Sequence, residues 1–264
     1  MGNHAIEQHD GRVVKRFSFC DLGQPAREWR ALTLLAEHAP GLAPDPIEFR
    51  PEASPPAVVM SRVVGTPLRG GVVGPDQTEA LAAAVAMLWE SVPAPVLEEL
   101  PPRSWPQPEA VGEAAGWCAQ PLAPGTAKVV EEAQVEGLRW LRQANFAPTS
   151  PLALGTGDGN LSNFLWDGSR VRVVDFEYSG RSDRAYELAE VTEHLAAWVD
   201  TDFDAARFLG HFDLEPREAG RLLECRRLLA LEWVHVLSMQ VDADVWINPP
   251  GSRERQAERF LALL

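Results

Sequence analysis

Three residues of this 264-residue chain have types and spacing suited to moving a phosphoryl group: Asp158, Asn163 and Asp175. Such a site needs one carboxylate to take the proton of an attacking hydroxyl. It also needs an amide oxygen and a second carboxylate to hold Mg²⁺ on the phosphates. The stretch LGTGDGNLSNFLW (154–166) supplies an Asp and, five residues later, an Asn. VRVVDFEYSG (171–180) supplies the second Asp at the end of an apolar run. Asp and Asn among glycines usually just build turns, so the surrounding elements decide. Gly155, Gly157 and Gly159 place Asp158 in a tight loop, and Phe164-Leu165-Trp166 reads as a short strand. Asp167-Gly168 is a hairpin turn signal, and Val171, Val173 and Val174 form the return strand. The hairpin therefore carries Asp175 back beside Asp158 and Asn163.

The elements upstream must complete such a site. Residues 5–8 and 12–19 read as a hairpin around Asp10-Gly11. The two-residue period of its second strand puts Val13, Lys15 and Phe17 on one face. A lysine among apolar residues points into a cleft or at a partner charge. Residues 25–39 read as a helix with Pro25 in its first turn, and Glu28, Ala31, Leu32 and Leu35 share one face. A Glu on that apolar face calls for a counter-charge. Residues 47–49 and 57–64 read as further strands.

Asp76 is expected to open a helix, with Glu79 completing a capping box. Residues 80–89 are apolar almost all round, which predicts a buried helix. The segment 93–108 holds six prolines and reads as an extended connection over the surface. Helices are expected over 109–120, 125–143, 202–211, 216–241 and 252–264. His194 and His235 fall in apolar helical surroundings, which suits satisfied core or groove residues. The tryptophans suit core packing better than a cofactor box; Trp198, Trp233 and Trp246 are the candidates to line an acceptor pocket instead.

Composition narrows the classes. A formal charge of −14 offers no basic stripe for nucleic acid. It suits solubility, or the drawing of a cationic substrate into an acidic cleft. Cys20, Cys118 and Cys225 are widely spaced and odd in number, which predicts a reducing cytoplasm without a disulfide framework or zinc site. No apolar run is long enough to span a bilayer, and the first residues are too polar for a signal peptide. H-E-x-x-H, G-x-S-x-G, Walker and Rossmann patterns do not occur.

The loop and its partner segment resemble those of the aminoglycoside phosphotransferase and choline kinase-like family. Its usual patterns are H-G-D-x-x-x-x-N and, about a dozen residues on, D-[FW]-E-x-x-G. Here Thr156-Gly157-Asp158 and Asn163 match the first, with Thr156 in place of the His that supports the loop. Asp175-Phe176-Glu177 and Gly180 match the second. The segment 181–189 resembles G-D-P-x-x-D-L-A, with Arg184 and Glu187 replacing Pro and Asp and a structural role implied.

The resemblance implies an α+β, protein-kinase-like fold with two lobes: a small β-sheet lobe over 1–64 and a large, mainly helical lobe over 65–264. Only 14 residues precede Lys15, so either the small lobe is abbreviated or the sequence starts late. Asp158 would be the catalytic base, and Asn163 and Asp175 the Mg²⁺ ligands. Lys15, steadied by Glu28, would hold the α- and β-phosphates. The linker around Met60 and Arg62 would bind adenine through its backbone. The implied reaction moves the γ-phosphate of ATP or GTP to a hydroxyl of an aminoglycoside-like molecule or another antibiotic. Choline, homoserine or a sugar are alternative acceptors, and a catalytically weak pseudokinase module is a further alternative. Asp183, Glu193, Asp200 and Asp202 are candidates to hold a cationic acceptor.

Overall fold

The computed structural model describes residues 4–18, 20–147, 150–242 and 247–264; Trp246 lies outside them. Ala5–His9 (β1) and Arg12–Arg16 (β2) form the expected hairpin. Gly11 supplies the positive φ, 71°, of its turn at no steric cost. Gln24–His38 (α1) buries the expected face of Glu28, Ala31, Leu32 and Leu35. Pro46–Arg50 (β3) and Ala57–Ser61 (β4) complete a four-stranded antiparallel sheet in the order β1-β2-β4-β3. β4 is central, so both its edges are paired and four of its five residues are buried. It ends at Ser61, short of the expected residue 64. Lys15 lies opposite Val58, and Val13 opposite Met60, on one face.

Beyond the sheet come Thr66–Pro67 (β5), Pro75–Glu90 (α2), Ala94–Glu99 (α3), Gln107–Cys118 (α4) and Lys128–Leu141 (α5). Leu152–Gly155 (β6), Phe164–Trp166 (β7), Val171–Val173 (β8) and Gly180–Asp183 (β9) frame the acid-bearing loops. Arg184–Glu193 (α6), Ala205–Leu209 (α7), Pro216–Asp242 (α8) and Ser252–Leu261 (α9) follow. α8, about 40 Å long at the helical rise, packs against α4, α6 and α9. Leu228, Leu231, Val234 and Phe260 fill the core there. Among the described residues no helix is long and apolar enough to cross a membrane.

Three expectations are corrected. The cap of α2 is Gly74, whose N–H is accepted by the Gln77 side chain at 2.9 Å; Pro75 in the first turn moves the start ahead of Asp76. The proline-rich stretch holds α3 and buries Leu97, Leu100, Arg103 and Ser104, so it is not a plain surface connection. The 202–211 helix shortens to α7. The β6–β9 ladder, Gly155 opposite Gly180, has no period-2 signature of its own in four-residue strands.

Candidate active site

β7 and β8 pair antiparallel, Phe164 opposite Val173, so the hairpin does return Asp175 to the loop. Asn160 shapes that loop: its Oδ1 accepts from Ser162 N–H at 3.0 Å and caps the short turn that ends at Asn163. Asp158 Oδ1 accepts from Asn160 N–H at 2.9 Å, and Asp158 Oδ2 from Asn163 Nδ2 at 3.2 Å. The last bond leaves the Asn163 amide oxygen free to turn to a cation. Gly157 has φ 80°, and a Cβ there would run into Tyr178. Asp175 also has positive φ, 70°, a conformation that Asp tolerates better than most side chains.

Lys15 and Glu28 meet as expected, with Nζ donating to Glu28 Oε2 at 3.0 Å. The same ammonium contacts Asp175, and Glu177 Oε2 at 2.7 Å. Burial disfavours the ammonium, but the carboxylates of Glu28, Asp175 and Glu177 outweigh it and raise the Lys15 pKa. Burial also holds the Glu28 carboxyl above its ordinary value against the pull of Lys15.

These groups open on a cleft of about 380 Å³ between the sheet and the β7–β8 hairpin. Ile6, Val13 and Met60 line one side and Leu165 and Val174 the other, with Arg62–Gly65 at the edge. Lys15, Met60, Arg62, Asn163 and Asp175 thus border one space. Apolar walls with charged groups at one end suit a flat ring bearing an anionic tail. Cavities of about 530 and 600 Å³ elsewhere contain none of these residues.

Glu28, Asp175 and Glu177 can bring three carboxylate oxygens within 4.8 Å of one another. Three carboxylates around one ammonium leave excess negative charge, and an all-oxygen donor set fits Mg²⁺. Of these three, Asp175, with its side chain 39% exposed, and the buried Glu28 line the cleft, and Asn163 lines it beside them.

Several neighbours of the site escaped sequence reasoning. Glu177 is nearly buried between Lys15 and His4, whose Nε2 lies 3.0 Å away; its signal was the Glu of the D-F-E segment. His194, expected in core or groove, lies 3.5 Å from Asp158 Oδ1 through Nε2. Its Nδ1 accepts from Ala196 N–H at 3.0 Å, which leaves the proton on Nε2, and Trp233 stands edge-on at 4.8 Å. Burial lowers the His194 pKa, against the pull of Asp158. Nothing local in the sequence links residue 194 to 158.

The acids expected to hold a cationic acceptor are mostly engaged. Asp183 pairs with Arg221 at 2.5 Å and caps α6. Glu193 pairs with Arg226 at 2.6 Å and Arg259 at 3.4 Å, and Asp200 with Arg69 at 2.9 Å. Asp202 is exposed beside Val72, bridged through the backbone. Trp198 is flanked by Arg255 and Arg259.

The architecture is the two-lobed, protein-kinase-like α+β fold, here with a four-stranded sheet and a mainly helical remainder. The model of the phosphotransferase enzyme family, APH, matches residues 4–223, and the chain belongs to that family. It is a small-molecule phosphotransferase. A choline/ethanolamine kinase family protein from Mesorhizobium loti is similar at 18% identity and TM-score 0.68, over 98% of this chain and 84% of that one. The choline kinase LicA from Streptococcus pneumoniae is similar at 14% identity and TM-score 0.62, over 100% and 91%. Aminoglycoside 2'-phosphotransferase-IIIa, solved as a GDP complex, is similar at 12% identity and TM-score 0.64, over 100% and 89%. No curated protein matches the sequence significantly.

Proposed function

We propose that the protein transfers the γ-phosphate of ATP or GTP to a hydroxyl of a small molecule. The observation that carries this reading is the meeting of Lys15, Asn163 and Asp175 at the charged end of one apolar cleft, with Asp158 bonded to Asn163. In this reading the small lobe, to about residue 64, and the 60–65 linker receive the base, with Met60 packing on it and the backbone at Arg62 beside it. Lys15, held by Glu28, takes the α- and β-phosphates. Asn163 and Asp175 hold Mg²⁺, which would neutralise charge on the transferring group. Asp158 accepts or orients the proton of the acceptor hydroxyl.

An aminoglycoside-like or other antibiotic remains the acceptor suggested by the resemblance. A polycationic one needs carboxylates free to meet its ammonium groups. The pairing of Asp183, Glu193 and Asp200 with arginines favours an acceptor of few charges, a sugar or an amino alcohol.

The test is calorimetric titration with ATP and GTP, each with and without Mg²⁺, followed by release of the nucleoside diphosphate with kanamycin, hygromycin B, choline, homoserine and sugars as acceptors. Mg²⁺-dependent binding is expected. Asp158→Asn should lower turnover about 10²–10⁴-fold and keep that binding. Unchanged turnover would remove Asp158 from the chemistry, and absence of nucleotide binding by folded protein would favour the pseudokinase alternative.

A further inference from the structure

The catalytic loop carries Thr156 where the family pattern has a supporting His, so its geometry must be held by something else. Thr156 N–H donates to Glu187 Oε2 at 3.0 Å and its hydroxyl to the Asp158 carbonyl at 3.3 Å, which ties the first turn of the loop but leaves the Gly157 carbonyl to another group. The group at its centre comes from the proline-rich segment between α3 and α4. Arg103 is 3% exposed, and each of its nitrogens has a partner. Nη2 donates to the Gly157 carbonyl at 2.9 Å and to Glu190 Oε1 at 2.6 Å. Nη1 donates to Glu187 Oε1 at 3.0 Å, and Nε to the Ser104 carbonyl at 3.0 Å. The guanidinium also lies over the Tyr186 ring, 5.0 Å from its centre.

The same segment grips the acid-bearing strand. Arg103 N–H donates to Arg181 C=O at 3.1 Å, and Ser104 N–H to Tyr178 C=O at 3.0 Å. Arg181 N–H donates to Pro101 C=O at 2.8 Å. A Cβ at Gly180 would lie 2.6 Å from the Arg103 nitrogen, so the two backbones are in close contact there. One strap thus touches the residue before Asp158 and the residues just after Asp175 and Glu177.

We infer that Arg103 is a positioning residue for phosphoryl transfer, holding the Gly157–Asp158 peptide from outside the loop in place of the histidine that the loop lacks. It never meets the substrate. It acts by fixing the carbonyl before Asp158 and bridging that loop to α6 through Glu187 and Glu190. A planar fork is required, because the four acceptors lie in different directions and a single ammonium cannot reach them all.

The inference rests on the proposed phosphotransfer for its kinetic readout, so the experiment also carries one that does not. Arg103→Ala and Arg103→Lys are compared with the unaltered protein in Mg·ATP affinity, Mg·ATP hydrolysis and amide hydrogen exchange. Hydrolysis should fall about 10–100-fold, as for a misplacement of about 1 Å, with Mg·ATP affinity within about threefold. Millimolar guanidinium ion should restore part of it to Arg103→Ala and none to Asp158→Asn. Exchange should rise over 156–159 and 178–181 and stay unchanged in β2 and β4. If the unaltered protein neither binds nor hydrolyses Mg·ATP, the proposed function fails, and exchange alone decides the role of Arg103. Unchanged exchange over 156–159, or a fall in affinity equal to the fall in hydrolysis, overturns the inference. So does loss of the whole fold in Arg103→Lys, since the group would then serve the molecule and not the loop.

Discussion

Replacing Lys15 by Met removes the one ammonium from a cluster of three carboxylates. Asp175 reaches solvent, but Glu28 is 0% exposed and Glu177 6%, so two carboxyls lose their counter-charge inside the protein. Breaking a buried pair from one side costs about 3–5 kcal/mol. The cost depends on pH with a definite sign. The unfolded Glu28 carboxyl titrates at its ordinary value of about 4.3. The folded one is already held above that by burial, and further without Lys15. A carboxyl with a raised folded pKa keeps its stability below the ordinary value and loses it as pH rises past it, by up to about 1.4 kcal/mol per unit. Urea unfolding of Lys15→Met should therefore show a small deficit at the acid end and a large one at the alkaline end. Lys15→Met with Glu28→Gln should recover most of the alkaline deficit, since the amide needs no counter-ion. A deficit independent of pH, or no recovery in the double variant, would refute the argument. Mg·ATP affinity should fall about 10–100-fold in both, as one charge-assisted hydrogen bond is lost.

Two further outcomes follow from the same cleft and from α8. Asp175→Asn should abolish most of the Mg²⁺ enhancement of ATP affinity while metal-free ATP binding persists; calorimetry with and without Mg²⁺ reads this, and an intact enhancement counts against Asp175 as a ligand. Burial, with Glu113 nearby, pushes the Glu232 carboxyl to about 8, and its Oε1 has no partner. The native state then holds an extra proton between the ordinary value and about 8, so stability falls as pH rises through that window. Glu232→Gln should raise thermal stability near pH 8, by an amount on the order of a few kcal/mol, and change little near pH 5; an equal gain at both ends would contradict it.

What could be read in advance was local. The Asp10-Gly11 turn, the alternation around Lys15, the apolar face of α1 that includes Glu28, and the loop-strand-turn-strand run from Asp158 to Asp175 all use residues within a few positions of one another. Their turn chemistry and periodicity act before any tertiary contact forms. The proline-rich 93–108 stretch misled for the same reason. Proline content limits the backbone but says nothing of what the intervening side chains meet, and Arg103 meets residues 54, 84 and 87 positions away.

The sequence by itself therefore determined the chemical set of this site, an acid, an amide, a second acid and a lysine, and the hairpins and helix that carry them. Only the tertiary structure decided which groups were left for a ligand. Asp183, Glu193 and Asp200 look alike as letters, yet each is claimed by an arginine distant in the chain. His194 reaches Asp158 across 36 residues, and Glu177 joins Lys15 across 162. Such pairings depend on which helix faces pack together, a choice made by burial of the whole core and not encoded in any short window.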